Sequence, residues 1–136
     1  MRVGAGAPAF STSSDATVQV PSRRLDSLIE ADSVDLDEIG LVWIDVQGHE
    51  GHVLAGASTL LAAQLPIVCD YWPYGLRRAG AFDLFHQLLL HARPVIVHLG
   101  ALHRGAISTA ELHSIGASMP GVAFTDLLLL PSGTPC

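Results

Sequence analysis

The sequence contains no lysine, and its seven arginines are set against thirteen acids, a formal charge of −6. Without a basic field there is nothing to hold a phosphate backbone, which excludes nucleic acid as an expected partner. Cysteine is nearly absent: Cys69 lies in an apolar run and Cys136 is the last residue, so neither a disulfide framework nor a metal-binding pair is expected. Long apolar runs are lacking too. Stretches such as Leu127 to Leu130 fall far short of the ~20 residues that span a bilayer. The opening "MRVGAGAPAF" has one arginine and no continuous apolar run, a poor signal peptide. No membrane association and a cytoplasmic location are the expectations by default.

What is present is apolar. Of 136 residues, 49% are hydrophobic and 15% charged, with a mean hydropathy of +0.41, enough apolar surface to rule out a chain that stays unfolded. The length fits one domain or part of one. Residues 1–16, rich in Gly, Ala, Ser, Thr and Pro, read as a loop or disordered segment, 17–131 as the ordered region, and 132–136 as a tail.

Along the ordered region, "TVQVPS" alternates like a short strand that Pro21 ends. "RRLDSLIEA" has Leu25, Leu28 and Ile29 at helical spacing, with Asp26 set favourably against the helix dipole. "IGLVWIDV" is a continuous apolar run rich in β-branched residues, expected as a buried parallel strand. From His52, the positions Val53, Leu54, Ala57, Leu60 and Leu61 form the stripe of one amphipathic helix, which Pro66 stops. "PIVCDYW", "PVIVHL" and "FTDLLLLP" read as strands, and "FDLFHQLLLHA" as a helix. "STAELHSIG" reads as a helix with Ser108 or Thr109 as N-cap and Gly116 as the stop. The alternation predicts an α/β fold with a largely parallel sheet.

In such sheets ligands bind beyond the carboxyl ends of strands. Asp45 with Gly48, His49 and Glu50 ends one strand, and Asp70, Tyr71, Trp72 and Tyr74 end the next. Neighbouring carboxylates there can take up a proton, ligate a cation or hold substrate hydroxyls, whereas the alternative has Asp45 and Glu50 only capping the following helix. In "GHEGH", His49 and His52 are three apart where a zinc-binding helix needs four, and no third ligand is identifiable, so no metal is expected. His86, His91, His98, His103 and His113 show no site-like spacing and read as surface or partly buried residues. "GAGAPA" at Gly4 to Ala9 matches a dinucleotide-loop pattern without the strand and helix that give the pattern its meaning. In "YWPYGLRR" the rings could wall a substrate with Arg77 or Arg78 on an anionic group, or form a Pro-Gly turn packed on the next helix.

Four blocks, "RRLDSLI", "LVWIDVQGHEGHVLAGASTLL", "PIVCDYWPYGLRRAG" and "FTDLLLL", occur in the order found in FkbM-family S-adenosylmethionine-dependent methyltransferases, which this chain resembles from about Val18 to Leu130. The resemblance implies the C-terminal half of a class I, Rossmann-like methyltransferase sheet with flanking helices, and so a partial domain over 17–131 without the N-terminal cofactor-binding strands. It implies O-methylation of a hydroxyl on a sugar or natural product, with Asp45, Glu50 and His49 as catalytic residues. Asp45 and Asp26 would lie toward S-adenosylmethionine, and Asp70, Trp72 and Tyr74 toward the acceptor. Asp70 stands where the family usually has glutamate, one methylene shorter. The family's glycine-rich cofactor loop and ribose-binding acid have no counterpart here. The chain alone is therefore expected to be weak or inactive, and to act with a separate N-terminal half or as a homo-oligomer. The alternative is a degenerate, non-catalytic interaction module.

Overall fold

The structure, a computed structural model, describes residues 18–100 and 105–135. The expected leading loop over 1–16, the "GAGAPA" segment and His103 lie outside them.

Five strands, β1 (Val42–Ile44), β2 (Ile67–Tyr71), β3 (Val95–His98), β4 (Ala106–Ile107) and β5 (Thr125–Leu130), form one sheet in the order β1-β2-β5-β3-β4. Among the described residues only β1 and β2 pair in parallel; β5 runs antiparallel between β2 and β3, and β4 antiparallel to β3. The fold is α/β as expected, but the sheet is mixed rather than largely parallel. The last strand reaches the sheet from helix α6 (Thr109–Ser118) and fills the gap between β2 and β3 in reverse, a register that local hydrophobicity does not encode.

Pairing sorts the side chains onto two faces. Ile44, Cys69, Leu127 and His98 lie in one cross-strand row, and Trp43, Val68, Leu128 and Val97 in the next, on the opposite face. The first face carries the core, where Cys69, Tyr71 and Leu127 meet Leu54, Phe85 and Leu89 from the helices. The second face is half-buried at Val68, Val97 and Leu128, and Trp43 is 69% exposed. The strand expected to be buried is thus, among the described residues, a three-residue edge strand covered on one face.

The remaining helices are α1 (Leu25–Ala31), α2 (Glu50–Ala55), α3 (Ser58–Ala62), α4 (Pro73–Arg78) and α5 (Phe82–Ala92). Helix α5 matches its expected range, and Ser108 caps α6 through a reciprocal capping box with Glu111. Four local expectations are corrected. Residues 18–20 form no strand. The single helix expected from His52 is two, because the chain leaves helical geometry at Ala57 (φ −130°, ψ 39°) and Asp26 of α1 caps the restart. The Pro-Gly turn at "WPYG" is helix α4, with Pro73 at its first position, where no N–H is needed. Gly116 does not stop α6 but lies inside it, where a Cβ would overlap the hydroxyl of Tyr71; close helix–sheet approach, not termination, demands the glycine.

Candidate active site at the ends of two parallel strands

The turn after β1 sets the site. Gln47 has φ 53° and Gly48 φ 95°, and a Cβ on Gly48 would collide with the backbone of Gly75 in α4. This turn brings the start of α2 against α4 and aims two backbone N–H groups, from Val46 and Gly48, at Glu50 Oε1, each at 3.2 Å. Glu50 is completely buried, and its Oε2 has no hydrogen-bond partner. One oxygen is anchored while the other is left available in a water-poor setting, where an unpartnered acceptor is costly.

The second strand contributes Asp70, half-buried, with Oδ1 likewise buried and unpartnered. Its carboxyl is pushed up to about 6, first by burial and then by the negative charges of Glu50, Asp45 and Asp126. Asp45 immediately follows Ile44, the register partner of Cys69, so it flanks Asp70 on one side while Asp126 faces it on the other. Asp45 is exposed and accepts the Gln47 side-chain amide at 2.8 Å. The expected adjacency of two acidic strand ends is met, and β5 adds a third acid that sequence reasoning missed. Only a polar interruption in "FTDLLLL" could have signalled Asp126.

Trp72 precedes α4, with its ring against Gly75 and 5.6 Å from Tyr74; its indole Nε1 is buried without a partner. Gly48 abuts Gly75 and holds Glu50, so Glu50, Gly48, Gly75 and Trp72 form one packed sequence of contacts. Tyr74 is exposed and accepts from Arg78 at 3.1 Å. Arg77 donates to the Gly116 carbonyl at 2.9 Å and lies over the Phe82 ring. Both arginines are therefore engaged locally rather than offered to an anion.

His49 occupies the cap position of α2 without a side-chain hydrogen bond and is exposed. His52 donates through Nε2 to the Ala79 carbonyl at 2.9 Å, and the two rings are 5.8 Å apart. Among the described residues no group of three His, Cys, Asp or Glu could hold a metal ion. Asp26 acts locally, accepting the N–H groups of Ser58 (3.1 Å) and Thr59 (2.9 Å) and the Ser58 hydroxyl. These bonds, that of Thr59 foremost, hold its carboxyl well below the usual range.

Of the other histidines, His86 is inside the core, contrary to the expectation of a surface or partly buried residue. Its Nδ1–H donates to the Phe82 carbonyl at 2.7 Å, and its Nε2 lies 3.0 Å from the Tyr71 hydroxyl. The periodicity of α5, with Phe82, Phe85 and Leu89 on the apolar stripe, would have placed His86 among them.

A family model described as the methyltransferase FkbM domain matches residues 3–100. The match begins ahead of "RRLDSLI" and ends before "FTDLLLL". Neither a curated protein nor a solved structure matches the chain. No helix among the described residues is long and apolar enough to cross a membrane.

Proposed function

The chain belongs to the FkbM methyltransferase domain family, and from that premise we propose that it takes part in S-adenosylmethionine-dependent O-methylation of a sugar or natural-product hydroxyl, with Glu50 as the residue that receives the hydroxyl proton. The observation that carries this reading is the Glu50 carboxylate, completely buried, anchored at Oε1 by two backbone N–H groups and unpartnered at Oε2. A base must present a free, oriented lone pair to the proton it takes, and Glu50 Oε2 has both properties.

The cofactor supplies an electrophilic methyl group on a sulfonium. Asp45, exposed at the end of β1, would lie toward its methionine portion, with His49 beside it on the approach to the acceptor. Asp70, Trp72 and Tyr74 would hold the acceptor. Asp26 enters as a positioning residue, since it fixes the junction between α3 and α2, the helix that begins at Glu50.

We further propose that these residues are one wall of the site, and that a cofactor-binding half packs against β1. The supporting observation is the row of Trp43, Val68, Leu128 and Val97, apolar and incompletely covered among the described residues, running from the open edge at β1. The strand directions, three alike with β5 reversed between β2 and β3, are compatible with the C-terminal half of a class I methyltransferase sheet. The same apolar row supports the second reading, a non-catalytic module that docks through this face.

Isothermal titration with S-adenosylmethionine tests both parts. Micromolar binding by this chain alone would overturn the need for a second half. Absence of binding when a cofactor-binding half is supplied would overturn the cofactor reading. In the assembled enzyme, Glu50→Gln is expected to cut methyl transfer by about 10²–10⁴-fold while leaving cofactor affinity unchanged. Loss of cofactor binding with no transfer activity to lose would favour the docking module.

A further inference from the structure

Helices α2, α5 and α6 bring Leu54, Phe85, Leu89 and Leu112 onto the sheet face of Cys69, Tyr71 and Leu127. On the opposite face Trp43, Val68, Leu128 and Val97 form one row, and two residues further along β2 the register sets Asp70 directly opposite Asp126. Side chains alternate along a strand, so these two acids stand on the same face as Val68 and Leu128. Asp126 is exposed and enters no ion pair among the described residues. Phe124, two residues before it, is 67% exposed. The open face thus carries an apolar row and, beside it, a pair of facing carboxyl side chains.

Whatever covers this face must answer both features. A purely apolar layer would shut two like charges away from water without a partner, which is costly. A second copy of this chain would bring its own acids against them, at a formal charge of −6 per chain. An anionic lipid surface meets the same repulsion. A basic side chain set among apolar ones removes the conflict, because its charge compensates the carboxylates while its neighbours bury the row.

Resting on the docking reading above, we propose that the partner covers this face with an amphipathic helix whose apolar side chain packs on Val68 and Leu128 and whose arginine or lysine, one turn further on, pairs with Asp126. Two residues along a strand advance about 6.8 Å and four along a helix about 6 Å, so a helix lying along β2 and β5 meets the two rows with its residues i and i+4. Apolar residues flanking that stripe reach Trp43 on β1 and Val97 on β3. Asp70 adds to the field that attracts the cation, and Asp126 receives it. This gives a role to the one acid of the row that the proposed chemistry leaves unused.

The probes are two synthetic peptides about 18 residues long, enough for a helix to form, with leucine at i and arginine at i+4 in one and glutamine replacing each arginine in the other. Each is titrated into the full chain and followed by nitrogen-15 NMR. The arginine peptide is expected to bind about tenfold tighter or more, moving the signals of the Trp43 indole and the Asp126 amide. Asp126→Asn, a near-isosteric change at an exposed position, should bring the two peptides level. Glu30→Gln, at an exposed acid on α1, should leave the difference intact. Trp43→Ser should weaken both peptides alike. Binding of neither peptide, equal binding of both, a difference that survives Asp126→Asn, or one that Glu30→Gln also removes would overturn the proposal. So would a dimer of the chain alone, seen by light scattering and dissolved by Trp43→Ser, since the face would then belong to a second copy. If a cofactor-binding half docks and Asp126→Asn does not weaken it, this inference fails while the docking reading stands. If the arginine peptide binds as described but no supplied half confers S-adenosylmethionine binding, the surface stands and the methyltransferase reading fails.

Discussion

Asp70 and Asp126 stand directly opposite each other on the antiparallel strands β2 and β5, and Asp45, which follows the Cys69 partner Ile44, comes on the other side of Asp70. Like charges paired across a sheet are destabilising. Burial first, and the charges of Glu50, Asp45 and Asp126 after it, make the folded state hold a proton at Asp70 that the unfolded chain releases at lower pH. From the raised value of about 6 against the ordinary 3.8, stability is highest below the unfolded value and falls as pH rises through the folded one. Asp70→Asn should abolish this fall and stabilise the protein above pH 6 by about 1 kcal/mol, after allowance for solvent screening. Asp126→Asn should lower the Asp70 midpoint without removing it, because burial is the larger cause. Carboxyl NMR titration checks both.

Asp26 shows the opposite sign. Its carboxyl is depressed by the Thr59 and Ser58 bonds, so its contribution is present above the ordinary 3.8 and is lost as pH falls below it. Asp26→Ala removes the cap from α3 and should cost about 1–2 kcal/mol in chemical denaturation at neutral pH. Asp26→Asn, which keeps one acceptor oxygen, should recover part of that. A variant as stable as the parent would show that the α2–α3 break does not depend on this side chain.

Gly116 separates two opposed effects. Alanine favours a helix over glycine by about 1 kcal/mol, yet at this position its methyl would overlap the Tyr71 hydroxyl and press on Phe82. Overpacking of this kind costs about 1–3 kcal/mol. Gly116→Ala is expected to lower the melting temperature, and in a double-mutant cycle with Tyr71→Phe the combined loss should be smaller than the sum of the two, because removing the hydroxyl frees space for the methyl. A stabilised single variant would mean that α6 shifts freely over the sheet.

The Tyr71 hydroxyl lies 3.0 Å from His86 Nε2 and 3.1 Å from the Leu112 carbonyl, and its one proton serves one of them at a time. Since His86 Nδ1–H goes to Phe82, the neutral ring needs that proton at Nε2. Tyr71→Phe strands a buried acceptor and should cost about 1–3 kcal/mol. Burial also holds His86 below its ordinary 6.5, so stability is fully present above that value and declines as pH falls through it. His113, Asp83 and Arg77 face the ring as well, the arginine and His113 disfavouring its charge and Asp83 favouring it. His86→Gln should flatten that part of the pH–stability profile measured by thermal melts.

Trp43 is 69% exposed, so Trp43→Ser should change stability by no more than about 0.5 kcal/mol. The same substitution is expected to abolish association with a cofactor-binding half if the row through Val68, Leu128 and Val97 is the docking face. Size-exclusion chromatography with light scattering distinguishes the two effects. Unchanged association would remove this face from the proposed assembly.

The sequence by itself determined the α/β class, the helices with clean periodicity, the strand character of "PIVCDYW" and "PVIVHL", and the acids worth examining. Those properties are local: spacing of apolar residues, caps such as Ser108, and the position of Asp45 and Asp70 at strand ends. Tertiary structure decided that β5 enters in reverse, which put Asp126 opposite Asp70 and created the acid row. It also decided that Asp26 caps a helix 32 residues away, that Gly116 serves Tyr71 rather than a helix end, and that His86 is buried. Strand direction and close approach depend on which surfaces meet after the chain collapses, and residues far apart in the sequence settle that together. Glu50 shows both levels: its place after a strand could be read directly, whereas the anchored Oε1 and unpartnered Oε2 exist only because Gly48 packs on Gly75.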